Sequence, residues 1–139
     1  IWTLPTVKWQ LTVFVKRTPL PGPTVLWGIA PMKRGEVWWV NFDPSIGSET
    51  RKVRPAVIVS NNAANTHLNR VQVIPLTSNT GRCYPSEAVV AFNGTENKAM
   101  ADQLATVDKQ RLQSCGGSIS NQDLKAVERA IKIQLGLPL

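Results

Sequence analysis

The 139-residue sequence predicts a mainly β fold: a small, strongly curved antiparallel sheet or barrel that carries one C-terminal amphipathic helix. Three observations lead there. From Glu36 onward, short runs rich in Val, Ile and Trp follow one another at close spacing. Turn-forming residues separate them, as in Asp43-Pro44, Asn79-Thr80-Gly81 and Asn93-Gly94. Only near the C-terminus do apolar residues recur at helical spacing.

Taken in order, residues 1–31 hold five of the ten prolines and three of the five tryptophans, with no helical or alternating period to organise them. Such a segment has no core of its own. It is expected to be a Pro/Trp-rich extension, poorly ordered or foreign to the native chain; an aromatic docking arm is the competing reading. Composition changes at Met32-Lys33-Arg34-Gly35-Glu36, and residues 32–139 form the expected domain. Strands are expected over Glu36 to Phe42, Arg54 to Ser60, Val71 to Thr77, Glu87 to Phe92 and Ala101 to Val107. Short helical turns fit Asn61 to His67 and Asp108 to Leu112. Ser120-Asn121-Gln122-Asp123 has the form of a capping box, and Leu124, Val127, Ile131 and Leu135 then share one face. The resulting helix, Asn121 to about Leu135, stops at Gly136 and Pro138.

Sixteen Lys and Arg against nine Asp and Glu give a net charge of +7, which suits a polyanionic partner. Lys8, Lys16 and Arg17 lie in the first 31 residues, which carry no acid, so the domain itself is less basic than the whole chain. Cys83 and Cys115 are too few for a disulfide framework and lack metal-ligand spacing. No metal and no cofactor is expected, and free thiols fit a reducing cytoplasm. The apolar stretches stop well short of the roughly 18 residues a membrane span needs, so no membrane is expected. Leu11-Thr12-Val13-Phe14-Val15 precedes its basic pair and lacks a cleavage pattern, so it is not read as a secretion signal.

The residues with chemical potential gather around two strand ends. Pro55 biases Arg54 to an extended conformation at the mouth of the apolar run Ala56 to Val59, leaving a planar fork of donors for a phosphate or a carboxylate. Its commoner explanation is a surface arginine paired with a nearby acid. Glu49 lies in a loop between Gly47-Ser48 and Arg51-Lys52; as a carboxylate it is a candidate general base, or simply a solvated loop residue. Thr77 ends an apolar strand beside Ser78, and its hydroxyl either holds a phosphate or caps the strand. Gln103 is a candidate base reader or a buried structural amide. Trp38 and Trp39 face opposite sides of one strand, so one belongs to the core and the other to packing, a dimer contact or base stacking. His67 is the sole histidine, which excludes a two-histidine acid-base mechanism.

Read together, Lys33 to Pro44, Gly47-Ser48-Glu49, Val53 to Asn61, Pro75-Leu76-Thr77-Ser78 and Ala101 to Asp108 resemble, in order and without large gaps, the MazF/PemK/Kid family of toxin endoribonucleases. Residues 1–31 have no counterpart in that pattern. The resemblance implies an SH3-like barrel of the MazF/CcdB/Kid type and a homodimer. It further implies metal-independent, sequence-specific cleavage of single-stranded RNA, often mRNA, and neutralisation by a cognate acidic antitoxin. Carried over by position, Arg54 and Thr77 match the catalytic arginine and threonine, and Glu49 an acidic loop residue. Arg51, Lys52, Ser60, Asn61, Ser78 and Gln103 are the expected RNA contacts. Thr50-Arg51-Lys52 departs from the small residues or glutamine usual after the glutamate, adding positive charge for the RNA backbone.

The implied chemistry is attack by the ribose 2′-hydroxyl on the adjacent phosphorus, giving 2′,3′-cyclic phosphate and 5′-hydroxyl ends. Two other classes fit the same fold. A gyrase poison resembling CcdB would end in a Trp-Gly-Ile type sequence, whereas this chain ends Leu135-Gly136-Leu137-Pro138-Leu139. A non-catalytic RNA-binding barrel is the plainer alternative.

Overall fold

The structure, a computed structural model, describes residues 32–139. Seven strands, β1 (Glu36–Asn41), β2 (Val53–Ile58), β3 (Arg70–Thr77), β4 (Glu87–Phe92), β5 (Thr95–Met100), β6 (Ala105–Asp108) and β7 (Leu112–Ser118), form an antiparallel sheet ordered β4-β5-β3-β2-β1-β7. β3 is the pivot. Its first half pairs with β6 (Arg70↔Asp108 to Val73↔Ala105) and its last two residues pair with β5 (Leu76↔Ala99, Thr77↔Lys98). One strand thus serves two neighbours on the same edge, which fits a sheet that curls over itself. Two helices complete the fold, α1 (Asn62–His67) and α2 (Asn121–Leu135).

Side chains alternate across these strands, and both faces of the sheet are packed. On one face Val37, Val57, Ile74 and Leu76 join Val90 and Phe92 beneath Val127 and Ala130 of α2. On the other, inside the curl, Trp38, Val40, Ala56, Ile58 and Val73 meet Val107 and Leu112. The two tryptophans divide accordingly. Trp38 is buried inside the curl and donates Nε1–H to Glu36 Oε1 (3.0 Å), while Trp39 packs against Phe92 with ring centroids 6.5 Å apart. Gly116 permits that second contact, because a Cβ there would lie 2.8 Å from Phe92 Cζ.

α2 carries the predicted cap, though not the reciprocal box. Ser120 Oγ accepts from Asp123 N (3.1 Å), but the Asp123 carboxylate accepts from Ala91 N (2.9 Å) on β4, tying the helix to an edge strand. Such a cap contributes about 1 kcal/mol. Gly136 ends the helix at φ +71°. Leu135, expected on the buried face, is instead 55 % exposed.

One expectation needs correction. The strand placed over Ala101 to Val107 is a 3-10 turn, Ala101–Gln103, followed by β6. The short helical turn expected over Asp108 to Leu112 is present as the 3-10 turn Lys109–Arg111, flanked by Asp108 and Leu112 as its caps. β5 and β7 went unread, since β5 is rich in polar residues and β7 in glycine, serine and cysteine. The hairpin at Asn93-Gly94 makes β5 intelligible: Asn93 (φ 54°) and Gly94 (φ 75°) form a two-residue turn closed by Phe92↔Thr95.

Candidate functional site

Arg54 sits in β2 opposite Val40 of β1, on the same sheet face as Ala56. Ala56 pairs with Pro75 of β3, the last pairing between these two strands; Arg54 and Thr77 each lie two residues beyond it, on the face that Ala56 and Pro75 share, and both are half-buried. Ala56, Val57 and Ile58 behind Arg54, and Ile74 and Leu76 before Thr77, are buried, which anchors both backbones.

Their polar groups are arranged unequally. Arg54 donates Nε–H to the Arg51 carbonyl (3.2 Å), and its terminal nitrogens have no hydrogen bond or ion pair among the described residues. The surface pairing with an acid that would have explained this arginine does not occur. Thr77 Oγ1 accepts from Asn79 N (3.2 Å), which leaves its hydroxyl proton available to a ligand. Ser78 follows, exposed.

Loop 43–52, between β1 and β2, carries the remaining charges. Glu49 Oε1 accepts from Ile46 N (2.8 Å), so the carboxylate closes a turn of its own loop. Asp43 Oδ1 accepts from Lys52 N (2.9 Å), and Lys52 takes a left-handed backbone (φ 62°). Arg51 Nη2 donates to the Gly47 carbonyl. Glu49, Arg51 and Lys52 are all exposed. Gln103 reaches across from the 3-10 turn: its Oε1 accepts from Thr50 N (3.3 Å) and its Nε2 donates to the Ser48 carbonyl (3.5 Å). A polar cavity of about 360 Å³ lies there, lined by Phe42, Glu49, Thr50, Asp102, Gln103 and Thr106 among others.

Other expected contacts lie elsewhere. Ser60 and Asn61 follow the far end of β2, about 20 Å along the strand from Arg54 at roughly 3.3 Å per residue. Both have structural partners there. Ser60 Oγ donates to Asn65 Oδ1 and accepts from Gln72 N (3.1 Å), and Asn61 caps α1 by accepting from Ala64 N (2.8 Å). A second cavity, about 390 Å³ beside Ile131 and Lys132, includes Ser60 but neither Arg54 nor Thr77. His67 points back to the Ala63 carbonyl at the end of α1.

One residue near the site escaped the sequence reading. Lys98, the register partner of Thr77, is only 8 % exposed and pairs with Glu87 (3.1 Å). A lysine inside Thr-Glu-Asn-Lys reads as a surface charge, and only the strand pairing reveals its position.

Residues 33–135 match the family model for the PemK-like, MazF-like toxin of type II toxin–antitoxin systems. The chain belongs to this family. Among its relatives, endoribonuclease MazF9 of Mycobacterium tuberculosis is 38 % identical over 115 residues, covering 76 % of this chain and 98 % of the relative. The endoribonuclease toxin MazF of Escherichia coli is 29 % identical over 103 residues, covering 73 % of this chain and 92 % of the relative. Solved structures agree with the fold. MazF from Deinococcus radiodurans aligns with a TM-score of 0.69 at 27 % identity, over 77 % of this chain and 98 % of that one. A mycobacterial endoribonuclease in complex with its cognate antitoxin aligns at 0.66 and 26 % identity, over 78 % and 98 %. No helix among the described residues is long and apolar enough to cross a membrane.

Proposed function

We propose that this protein is the endoribonuclease toxin of a type II toxin–antitoxin pair, cutting single-stranded RNA, mRNA included, without a metal at a short sequence. The observation that carries the reading is the strand-seated Arg54, its terminal nitrogens unpaired among the described residues, on the same sheet face as Thr77, each two residues beyond the Ala56↔Pro75 pair. Family membership supports the activity, because the relatives above are named as endoribonucleases.

The substrate supplies the nucleophile, so the protein need only remove a proton and stabilise charge. Glu49 takes the proton of the 2′-hydroxyl as the 2′-oxygen attacks phosphorus. The bond to the 5′-oxygen breaks and the leaving oxygen takes a proton from water, giving a 2′,3′-cyclic phosphate and a 5′-hydroxyl. Arg54 meets the negative charge that develops on the phosphorane oxygens, and Thr77 adds a hydrogen bond. Fixed donors of this kind are typically worth about 10²- to 10³-fold each. The cations Arg51 and Lys52 hold the RNA backbone, while Ser78 and Gln103 flank it; Ser60 and Asn61 would meet only a longer stretch of strand. A homodimer provides the groove, and an acidic antitoxin fills it. The cognate complex of the mycobacterial neighbour supports that last assignment. A cytoplasmic location follows from the substrate.

The experiment is incubation with a long labelled RNA in EDTA, with end-group analysis of the fragments. Cyclic phosphate and 5′-hydroxyl ends at one recurring word are expected. An uncut RNA, or 3′-hydroxyl and 5′-phosphate ends, would overturn the reading. Replacing the attacking 2′-hydroxyl with hydrogen should stop cutting at that site and leave binding nearly unchanged.

A further inference from the structure

Thr77 opens a connection, residues 78–86, that is held more tightly than its exposure suggests. Asn79 N donates to Thr77 Oγ1 (3.2 Å) and Gly81 N to Asn79 Oδ1 (3.3 Å). At the other end Tyr84 N donates to Glu87 Oε1 (2.9 Å) and Glu87 N to the Tyr84 carbonyl (2.9 Å). Lys98 joins the two ends: it pairs in register with Thr77, while its Nζ meets Glu87 Oε1 (3.1 Å) and donates to the Arg82 carbonyl (2.6 Å).

Lys98 and Glu87 are each 10 % exposed at the side chain. A buried ion pair seldom adds net stability, because desolvation offsets the attraction, so its use here is better sought in what it locates. It locates Tyr84 and Arg82. Tyr84 is 52 % exposed, with the Arg82 guanidinium 5.8 Å from its ring centroid and donating to its hydroxyl (3.3 Å). An aromatic ring held toward solvent with a guanidinium over one face has the two parts a nucleotide needs: the opposite face for the base and a charge for the phosphate.

We propose that Tyr84 and Arg82 form a nucleotide subsite beside the scissile phosphate, Tyr84 stacking on a base and Arg82 meeting a backbone phosphate, with the Lys98–Glu87 pair as its positioning device. The proposal rests on the reading of Arg54 and Thr77 as the RNA-cutting site. It makes the segment 78–86 a second source of sequence preference, independent of loop 43–52.

The test uses a set of short single-stranded RNAs spanning the mapped cleavage site, each with 2-aminopurine at one position and a 2′-deoxy sugar at the cut; where no cut is found, unmodified sugars serve. With the wild-type protein, fluorescence at one position should quench on binding. Tyr84→Leu should abolish that quench and weaken binding roughly tenfold, in the range expected for removing one base–aromatic stack, while Tyr84→Phe keeps both. Lys98→Met, checked for folding by circular dichroism and melting, should lose the same quench at the same position. A Tyr84→Leu protein with wild-type quench and affinity would overturn the subsite. If that protein matches wild type while wild type cuts RNA, the subsite fails and the nuclease reading stands. Tyr84-dependent quenching by a protein that never cuts gives the opposite result.

Discussion

The strand-seated pair Arg54 and Thr77 and the loop-borne trio Glu49, Arg51 and Lys52 approach the same rim of the sheet on different terms. The first pair is fixed by β2 and β3, whose neighbouring side chains are buried on both faces. The trio is exposed and tied mostly to its own loop, with Gln103 as the crossing tether. A fixed donor costs no rearrangement when charge develops, so it suits the chemical step. A cation on a long loop suits backbone contact, which tolerates displacement and weakens with salt. The division therefore assigns charge stabilisation to the strands and backbone binding to the loop cations, with Glu49 as the one loop residue in the chemical step.

The largest effect should come from the strands. Arg54→Ala should lower the cleavage rate by about 10³-fold, and a cooperative melt near the wild-type temperature would show that the fold survives. Thr77→Ala should cost about 10²-fold, since one hydroxyl donor is removed while Arg54 remains. Wild-type rates in either variant would break the comparison.

Smaller effects should come from the loop. Gln103→Leu removes both tethers to residues 48–50 and should raise KM several-fold more than it lowers kcat; equal losses in both would place Gln103 in the chemistry. Arg51→Ala and Lys52→Ala should each weaken RNA binding only a few-fold. Their mark is the salt dependence, where the slope of log affinity against log salt should flatten by about 0.7 for each phosphate no longer neutralised. An unchanged slope would show that these cations do not touch the backbone.

Legibility in the sequence followed the same division. Arg54 and Thr77 lie at the ends of continuous apolar runs, and such runs fix where a strand begins and stops. The α2 helix was equally plain, with its cap, period and Gly136 stop. β5 was not, because Asn97 and Lys98 are buried polar residues whose partners, Thr95 and Glu87 among them, become visible only once the hairpin is closed. β7 escaped because Gly116 and Gly117 carry no pattern, though Gly116 is where Phe92 presses closest.

Function was harder to read than fold for a related reason. Ser60 and Asn61 looked adjacent to Arg54 in sequence, yet an extended strand carries them far from it, into the cap of α1. Gln103, read as a base reader or a buried structural amide, hydrogen-bonds the loop backbone at Thr50 and Ser48. Sequence proximity is a poor guide along a strand, where neighbours diverge, and a blind one across it, where Thr77 meets Lys98.

The division of labour can be tested most directly by single-turnover cleavage at saturating protein, comparing Arg54→Ala with the Arg51→Ala/Lys52→Ala double variant on one RNA. The account predicts that Arg54→Ala binds almost normally but cuts at least a hundredfold more slowly, while the loop variant binds weakly and, once saturated, cuts within a few-fold of wild type. Near-normal cutting by Arg54→Ala, or a hundredfold slower chemical step in the loop variant, would contradict it.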